Sequence, residues 1–178
     1  MELMSNIYHI VPNDFQGNIL YPLSALKEKH PEIHAMHVKK YEHRKHVTEL
    51  FIPQLNCYWG DVIHFSAVHP DVLVKALREA GFEEQFSFYE IDPSLLDSQK
   101  ALVYINKIKE DKNHLTAEDF TEFNPAEVGK WAYIPEETTA YYRKKLAEGK
   151  KPVPFLFIPH ILYKGSIEVS GMLLKKTG

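Results

Sequence analysis

The chain has 178 residues, 44% of them hydrophobic and 25% charged, with a formal net charge of −3. That length suits a single domain over residues 1–178, and that balance argues against a disordered chain or a strong grip on nucleic-acid phosphates. A single cysteine, Cys57, excludes an internal disulfide; with no apolar stretch of membrane-spanning length, the expected location is the cytoplasm.

Ile7-Tyr8-His9-Ile10-Val11 reads as a strand stopped by Pro12-Asn13-Asp14, with His9 on the face of Ile7 and Val11. Residues 14–17 read as a turn or a single helical turn. Ser24 is a candidate cap for a short helix ending near Lys29. His30-Pro31 restarts a helix expected to reach about His46, with a thin stripe of Ile33, Met36 and Tyr41. Leu50-Phe51-Ile52 is a short strand, and Asn56 to Gly60 an aromatic turn.

The turn feeds the central stretch, Asp61 to Asp71. Alternation there puts Val62, His64 and Ser66 on one strand face and Ile63 and Phe65 on the other. Pro70 to Ala80 is a helix, with Pro at its start, Asp71 in its first turn and Gly81 as C-cap. A polar strand face running out beside a helix N-terminus suits a small anionic ligand.

Phe86 to Ile91 is a strand, ended by Asp92-Pro93-Ser94, and Ala101 to Ile105 is expected to be the next. Residues 107–113 form a charged loop. Thr116 to Asp119 resembles a capping signature. Pro135-Glu136-Glu137 opens a helix, and Arg143-Lys144-Lys145 suit its negative end before Gly149. Phe155 to Ile158 reads as a buried strand broken by Pro159-His160. Ile167 to Leu174 reads as a last strand, alternating until Gly171. Strands at both ends with helices between, in no strict alternation, give an α+β class.

Two histidine groups stand out among ten. His9, His64 and His160 lie in strand contexts far apart in sequence. Either they converge on one cleft, where they also offer a metal site, or each is a separate histidine donating to a carbonyl. His30, His34 and His37 are spaced for one helix face, but Pro31 puts His30 at the cap, and no Cys or fixed carboxylate completes a zinc set. His43 and His46 extend the series without a recognised motif. A solvated polar face is the preferred reading, and no metal is assigned. Phosphate-binding glycine loops, zincin helices and serine nucleophile elbows are absent, and Cys57 has no obvious partner base.

Four pieces in order carry a resemblance: Ile7 to Ile10; Asp61 to Ser66 before a helix; Phe88 to Leu96; and Ile158 to Ile167. Together they resemble a small uncharacterised bacterial family, the domain of unknown function numbered nine-fifty-two. Its members open on a Tyr-His strand, carry Ile-His-x-Ser before a helix, and close on a Pro-His-x-Tyr-Gly segment. Here Lys164 stands between Tyr163 and Gly165, a departure from that pattern. The likeness covers about half the chain. It implies an ADP-ribosyltransferase-like split β-sheet with core motifs at 5–20, 61–106 and 155–176, and helical insertions at about 22–60 and 107–154 that decorate it.

The same likeness implies a cleft for NAD or an ADP-ribose-type ligand. His9 would hold the nicotinamide-side ribose, His64 and Ser66 would lie on the next cleft strand, and His160 and Tyr163 would close the site. His9, His64 and His160 are thus the candidate catalytic residues, and His9, Ser66 and Tyr163 the candidate ligand-binding ones. The implied activity is an NAD-dependent transferase or glycohydrolase acting at the nicotinamide N-glycosidic bond. The family motif places no glutamate as the third element; Glu168 on the last strand is a candidate by position alone. A phosphotransferase acting on a nucleic-acid 2′-phosphate shares the fold, but the acidic balance and the lack of an Arg pair in the motif strands argue against it. The expected partner is a small nucleotide ligand, with no strong nucleic-acid binding and no membrane. Two alternatives remain: a non-catalytic ligand-binding or protein-interaction module of the same fold, and a metal-binding protein using the strand histidines.

Overall fold

A computed structural model describes residues 5–12, 15, 17–42, 45–108 and 114–178. Asn13, Asp14, His43, residues 109–113 of the charged loop and the side chain of His46 lie outside that description. The elements in order are β1 (Ile7–Val11), β2 (Ile19–Leu20), α1 (Leu23–Lys29), α2 (Pro31–Val38), β3 (Phe51–Ile52), β4 (Cys57–Tyr58) and β5 (Ile63–Phe65). They continue with α3 (Pro70–Ala80), β6 (Ser87–Ile91), β7 (Ala101–Tyr104), β8 (Phe120–Glu122), α4 (Glu136–Ala147), β9 (His160–Tyr163), β10 (Ile167–Glu168) and β11 (Lys175–Lys176). This is an α+β arrangement of small antiparallel sheets. Among the described residues, no helix is long and apolar enough to cross a membrane.

Two sheets organise the molecule. One is antiparallel in the order β1-β6-β11, with Ile7 opposite Ile91 and Val11 opposite Ser87. The other is antiparallel in the order β5-β9-β7-β8. Among the described residues they meet at one isolated bridge, where Tyr8 N–H donates to the Ser66 carbonyl at 2.8 Å and Ser66 N–H returns to the Tyr8 carbonyl at 2.9 Å. Register divides the four-stranded sheet into two faces. Ile63, Phe65, Val103, Ile161 and Tyr163 pack with Ile7, Val11 and Ile91 in the main core. His64, Leu102, Tyr104, His160 and Leu162 share the opposite face, which Ile52, Leu55 and Cys57 help to cover.

The caps of α3 follow the expected chemistry. Asp71 N–H donates to His69 Nδ1 at 3.1 Å, and Gly81 adopts φ 102°, a conformation that favours glycine. Leu73 and Leu77 are buried beside Tyr142 of α4. The Tyr142 hydroxyl donates to the Pro154 carbonyl, and Thr138 Oγ1 donates to the Leu156 carbonyl at 2.7 Å. Tyr142→Phe should therefore cost about 1 kcal/mol in urea unfolding, against about 3–5 kcal/mol for Tyr142→Ala. Equal losses in the two variants would remove the hydroxyl from the account.

Several expectations are corrected. Phe155 to Ile158 is a turn, not a strand, with Phe157 at φ 66°. Pro152, Pro154 and Pro159 remove backbone donors from this stretch, so it cannot pair as a ladder strand. Asn106 Nδ2 instead donates to the carbonyls of Phe155 at 3.2 Å and Ile158 at 2.8 Å. The α2 helix stops at Val38 rather than near His46 and passes into short 3-10 turns. It buries only Ile33, too little packing to sustain a longer helix. The last strand pairs only at Ile167–Glu168. The chain then turns at Gly171 (φ 80°), and Lys175–Lys176 joins the other sheet.

Candidate functional site

A cavity of about 270 Å³ opens between β1, β5 and the α1–α2 pair. His9 and His64 form one wall; Leu23, Leu26 and Ile33 form another; Tyr21, His30 and Trp59 also line it. None of the described lining residues is Asp, Glu, Lys or Arg. Residues 22–60, read from sequence as a decorating insertion, thus supply a wall of the cavity.

The imidazoles are set by strand pairing. His9 Nδ1 lies 2.9 Å from the His64 carbonyl, and the His9 ring centroid is 5.5 Å from that of Phe65. A carbonyl can only accept, so Nδ1 carries the proton and Nε2 is the acceptor. The His64 ring lies 4.7 Å from Trp59 and 6.0 Å from His160, centroid to centroid. His160 does not line the cavity. It continues the same sheet face into a ring cluster with Phe155 at 5.6 Å and Tyr104 at 6.3 Å. Its buried Nδ1 has no hydrogen-bond partner among the described residues.

This packing keeps the rings uncharged. Burial lowers the His9 pKa, and the bond to the His64 carbonyl only partly opposes that. His64 falls to about 3, chiefly through burial, then through the neighbouring His160 and His9. Burial also lowers His160, against the adjoining carbonyls of Pro159 and Ile158.

His9 and His64 thus share the cavity, and His160 reaches the His64 ring from outside it, while the other two candidates stand apart. Ser66 is buried at the bridge between sheets, where its Oγ accepts from Val68 N–H at 3.1 Å and shapes the turn into α3. Tyr163 is buried on the opposite sheet face from His64 and His160. A Cβ at Gly165 would come within 2.9 Å of the Tyr163 ring, so this Tyr-Lys-Gly turn is itself a packing requirement. Glu168 is exposed and accepts from Ser170 Oγ at 2.6 Å. It sits opposite Ile19, a residue of the cavity wall, so the two side chains share one ladder face.

Sequence reasoning missed Trp59, Tyr21 and His30 as wall residues. Its available signals were the aromatic turn before β5 and the histidine series of α2, and neither says what it packs against. Among the described residues, no group of three or more His, Cys, Asp or Glu is placed to hold a metal ion, in α2 or among the strand histidines. Comparison with protein-family models, curated proteins and solved structures returned no match.

Proposed function

We propose that the cavity binds NAD or an ADP-ribose-type ligand by its nicotinamide-side ribose, and that the chain acts at the nicotinamide N-glycosidic bond. The observation that carries this reading is the convergence of His9 and His64 on one partly apolar cavity with Trp59 at its edge. At about 270 Å³ the space holds a ring and a sugar rather than a whole dinucleotide. The phosphates would then lie outside, in keeping with the uncharged walls described above. Two antiparallel sheets meeting at one bridge support an ADP-ribosyltransferase-like split sheet as the frame.

In the proposed reaction, the bond from ribose C1′ to the nicotinamide nitrogen breaks, with its electron pair leaving on nitrogen, so nicotinamide departs neutral. Water or an acceptor nucleophile adds at C1′ and gives up one proton. His9 Nε2 accepts a ribose hydroxyl, and Glu168, opposite the cavity residue Ile19 in the β2–β10 pair, is the candidate to offset the positive charge developing at the sugar. The second reading is a binding module of the same fold. It is favoured by the absence of a carboxylate among the described wall residues.

Thermal-shift titration with NAD and ADP-ribose tests the first step. Both ligands should raise the unfolding midpoint, and His9→Ala should abolish the rise. A rise that survives in His9→Ala would remove His9 from the site. Nicotinamide release then separates enzyme from module.

A further inference from the structure

The floor and the cover of the cavity are held in different ways. The floor is strand: β1 pairs with β6 from Ile7 to Val11, and β5 pairs with β9 from Ile63 to Phe65. The cover is the α1–α2 pair, which brings Leu23, Leu26, His30, Ile33 and His37 to the cavity. Within that pair the helices are tied to each other. His30 N–H donates to the Leu26 carbonyl at 2.8 Å and closes α1, while His34 N–H donates to the His30 carbonyl at 2.9 Å and opens α2. Pro31 sets the joint, and the Tyr21 and His30 rings meet at 6.3 Å, centroid to centroid. Towards the floor, the pair is held by apolar contact. Among the described residues, none of 21–36 makes a hydrogen bond or ion pair with β1, β5 or the Trp59–Asp61 turn. Neither helix has a side-chain cap, α1 buries no residue fully, and α2 buries Ile33 alone. The chain is fastened again on either side. Before α1, Val169 N–H donates to the Asn18 carbonyl at 2.7 Å and β2 pairs with β10; after Met36, the lining residues His37, Tyr41 and Thr48 are each engaged in a polar or ring contact.

We propose that the α1–α2 pair is a lid: residues 22–36 lift off the strand floor together, far more often than the core opens, and so expose the cavity. Lifting uncovers Ile33 and parts of Leu23 and Leu26 but breaks no hydrogen bond to the floor, whereas opening the floor breaks strand ladders. The inference goes beyond the choice of ligand and holds for any occupant of the cavity. Once lifted, helices of 7 and 8 residues lose the packing that sustains them, because helices this short do not persist alone in water. Their amides then exchange with solvent, and the side chains that face the cavity become accessible.

The experiment is native-state hydrogen exchange on the full, unsubstituted chain, repeated at rising urea below the unfolding transition. Amides of α1 and α2 are expected to exchange about a hundredfold or more faster than those of β5 and β9, at rates nearly independent of urea, because lifting the lid exposes little surface. Thiol labelling of Ile33→Cys with iodoacetamide reads the cavity-facing side directly. The native Cys57, buried beside Ile52 and Leu55, is the reference within the same molecule. With each thiol scaled to its own rate in the urea-unfolded chain, the introduced one should label about tenfold or more faster than Cys57. Helix amides that exchange at the strand rate with the same urea dependence would overturn the lid. So would fast helix amides beside an introduced thiol as slow as Cys57, since that pattern is fraying of the helix ends with the cavity still covered. If Ile33→Cys does not fold, the exchange rates of the unsubstituted chain decide alone.

Discussion

On the proposed reaction, Glu168→Gln should lower nicotinamide release from NAD by about a hundredfold or more, with little change in NAD affinity or stability. The carboxylate is exposed, and its one hydrogen bond among the described residues comes from the Ser170 hydroxyl at 2.6 Å. Gln keeps the size of the side chain and an oxygen for that hydroxyl, so folding should change by less than about 0.5 kcal/mol. What disappears is a negative charge on the residue opposite Ile19 in the β2–β10 pair. Positive charge at the sugar is greater in the transition state than in the bound substrate, so its stabiliser acts on kcat rather than on binding. Single-turnover release and a binding titration on the same variant read the two separately. Release at the wild-type rate would take Glu168 out of the chemistry. Parallel losses of binding and stability would make it a structural residue.

Acidification should destabilise the protein steeply below about pH 6.5, before its paired carboxylates begin to protonate. His9, His64 and His160 all have folded-state pKa values below their ordinary 6.5, with His64 at about 3. Below pH 6.5 the unfolded chain therefore binds more protons than the native one. The stability conferred by neutral burial is complete above that pH and is lost as pH falls towards the folded-state values. Each histidine that stays neutral removes about 1.4 kcal/mol per pH unit across its window. Glu90, held down chiefly by the Lys175 ammonium, and Asp92, held down by Ser94, lose their contribution only below their ordinary 4.5 and 3.8. Urea unfolding from about pH 7.5 to about pH 4.5 thus isolates the histidines. His64→Leu should flatten the slope by about one proton's worth. A stability that stays level across this range would contradict the buried, neutral ring cluster.

Local chemistry was legible wherever a residue's own neighbours decide its conformation. Pro70, Asp71 and Gly81 bound α3 as their cap preferences require, and α4 begins after Pro135 with Glu136 and Glu137. The alternation of Ile7 to Val11 and of Ile63 to Phe65 matches strands. The run Phe155 to Ile158 misled because an apolar stretch has the same periodicity in a buried turn as in a buried strand. The carbonyls of Phe155 and Ile158 are taken by Asn106, that of Leu156 by Thr138 and that of the preceding Pro154 by Tyr142, partners about 10–50 residues away in sequence.

The sequence by itself determined the α+β class, the positions of most main strands and helices, and the identity of His9 and His64 as residues in strand contexts. Only the tertiary structure decided which of the five site candidates meet. Strand register places His64 and His160 on one face and Tyr163 on the other, and register is fixed by pairing across the sheet rather than by local preference. The Tyr8–Ser66 bridge turns Ser66 into a junction between sheets, and the packing of α1 and α2 makes residues 22–60 a cavity wall. These outcomes depend on surfaces buried between segments distant in the chain, and no local spacing encodes which surfaces those are.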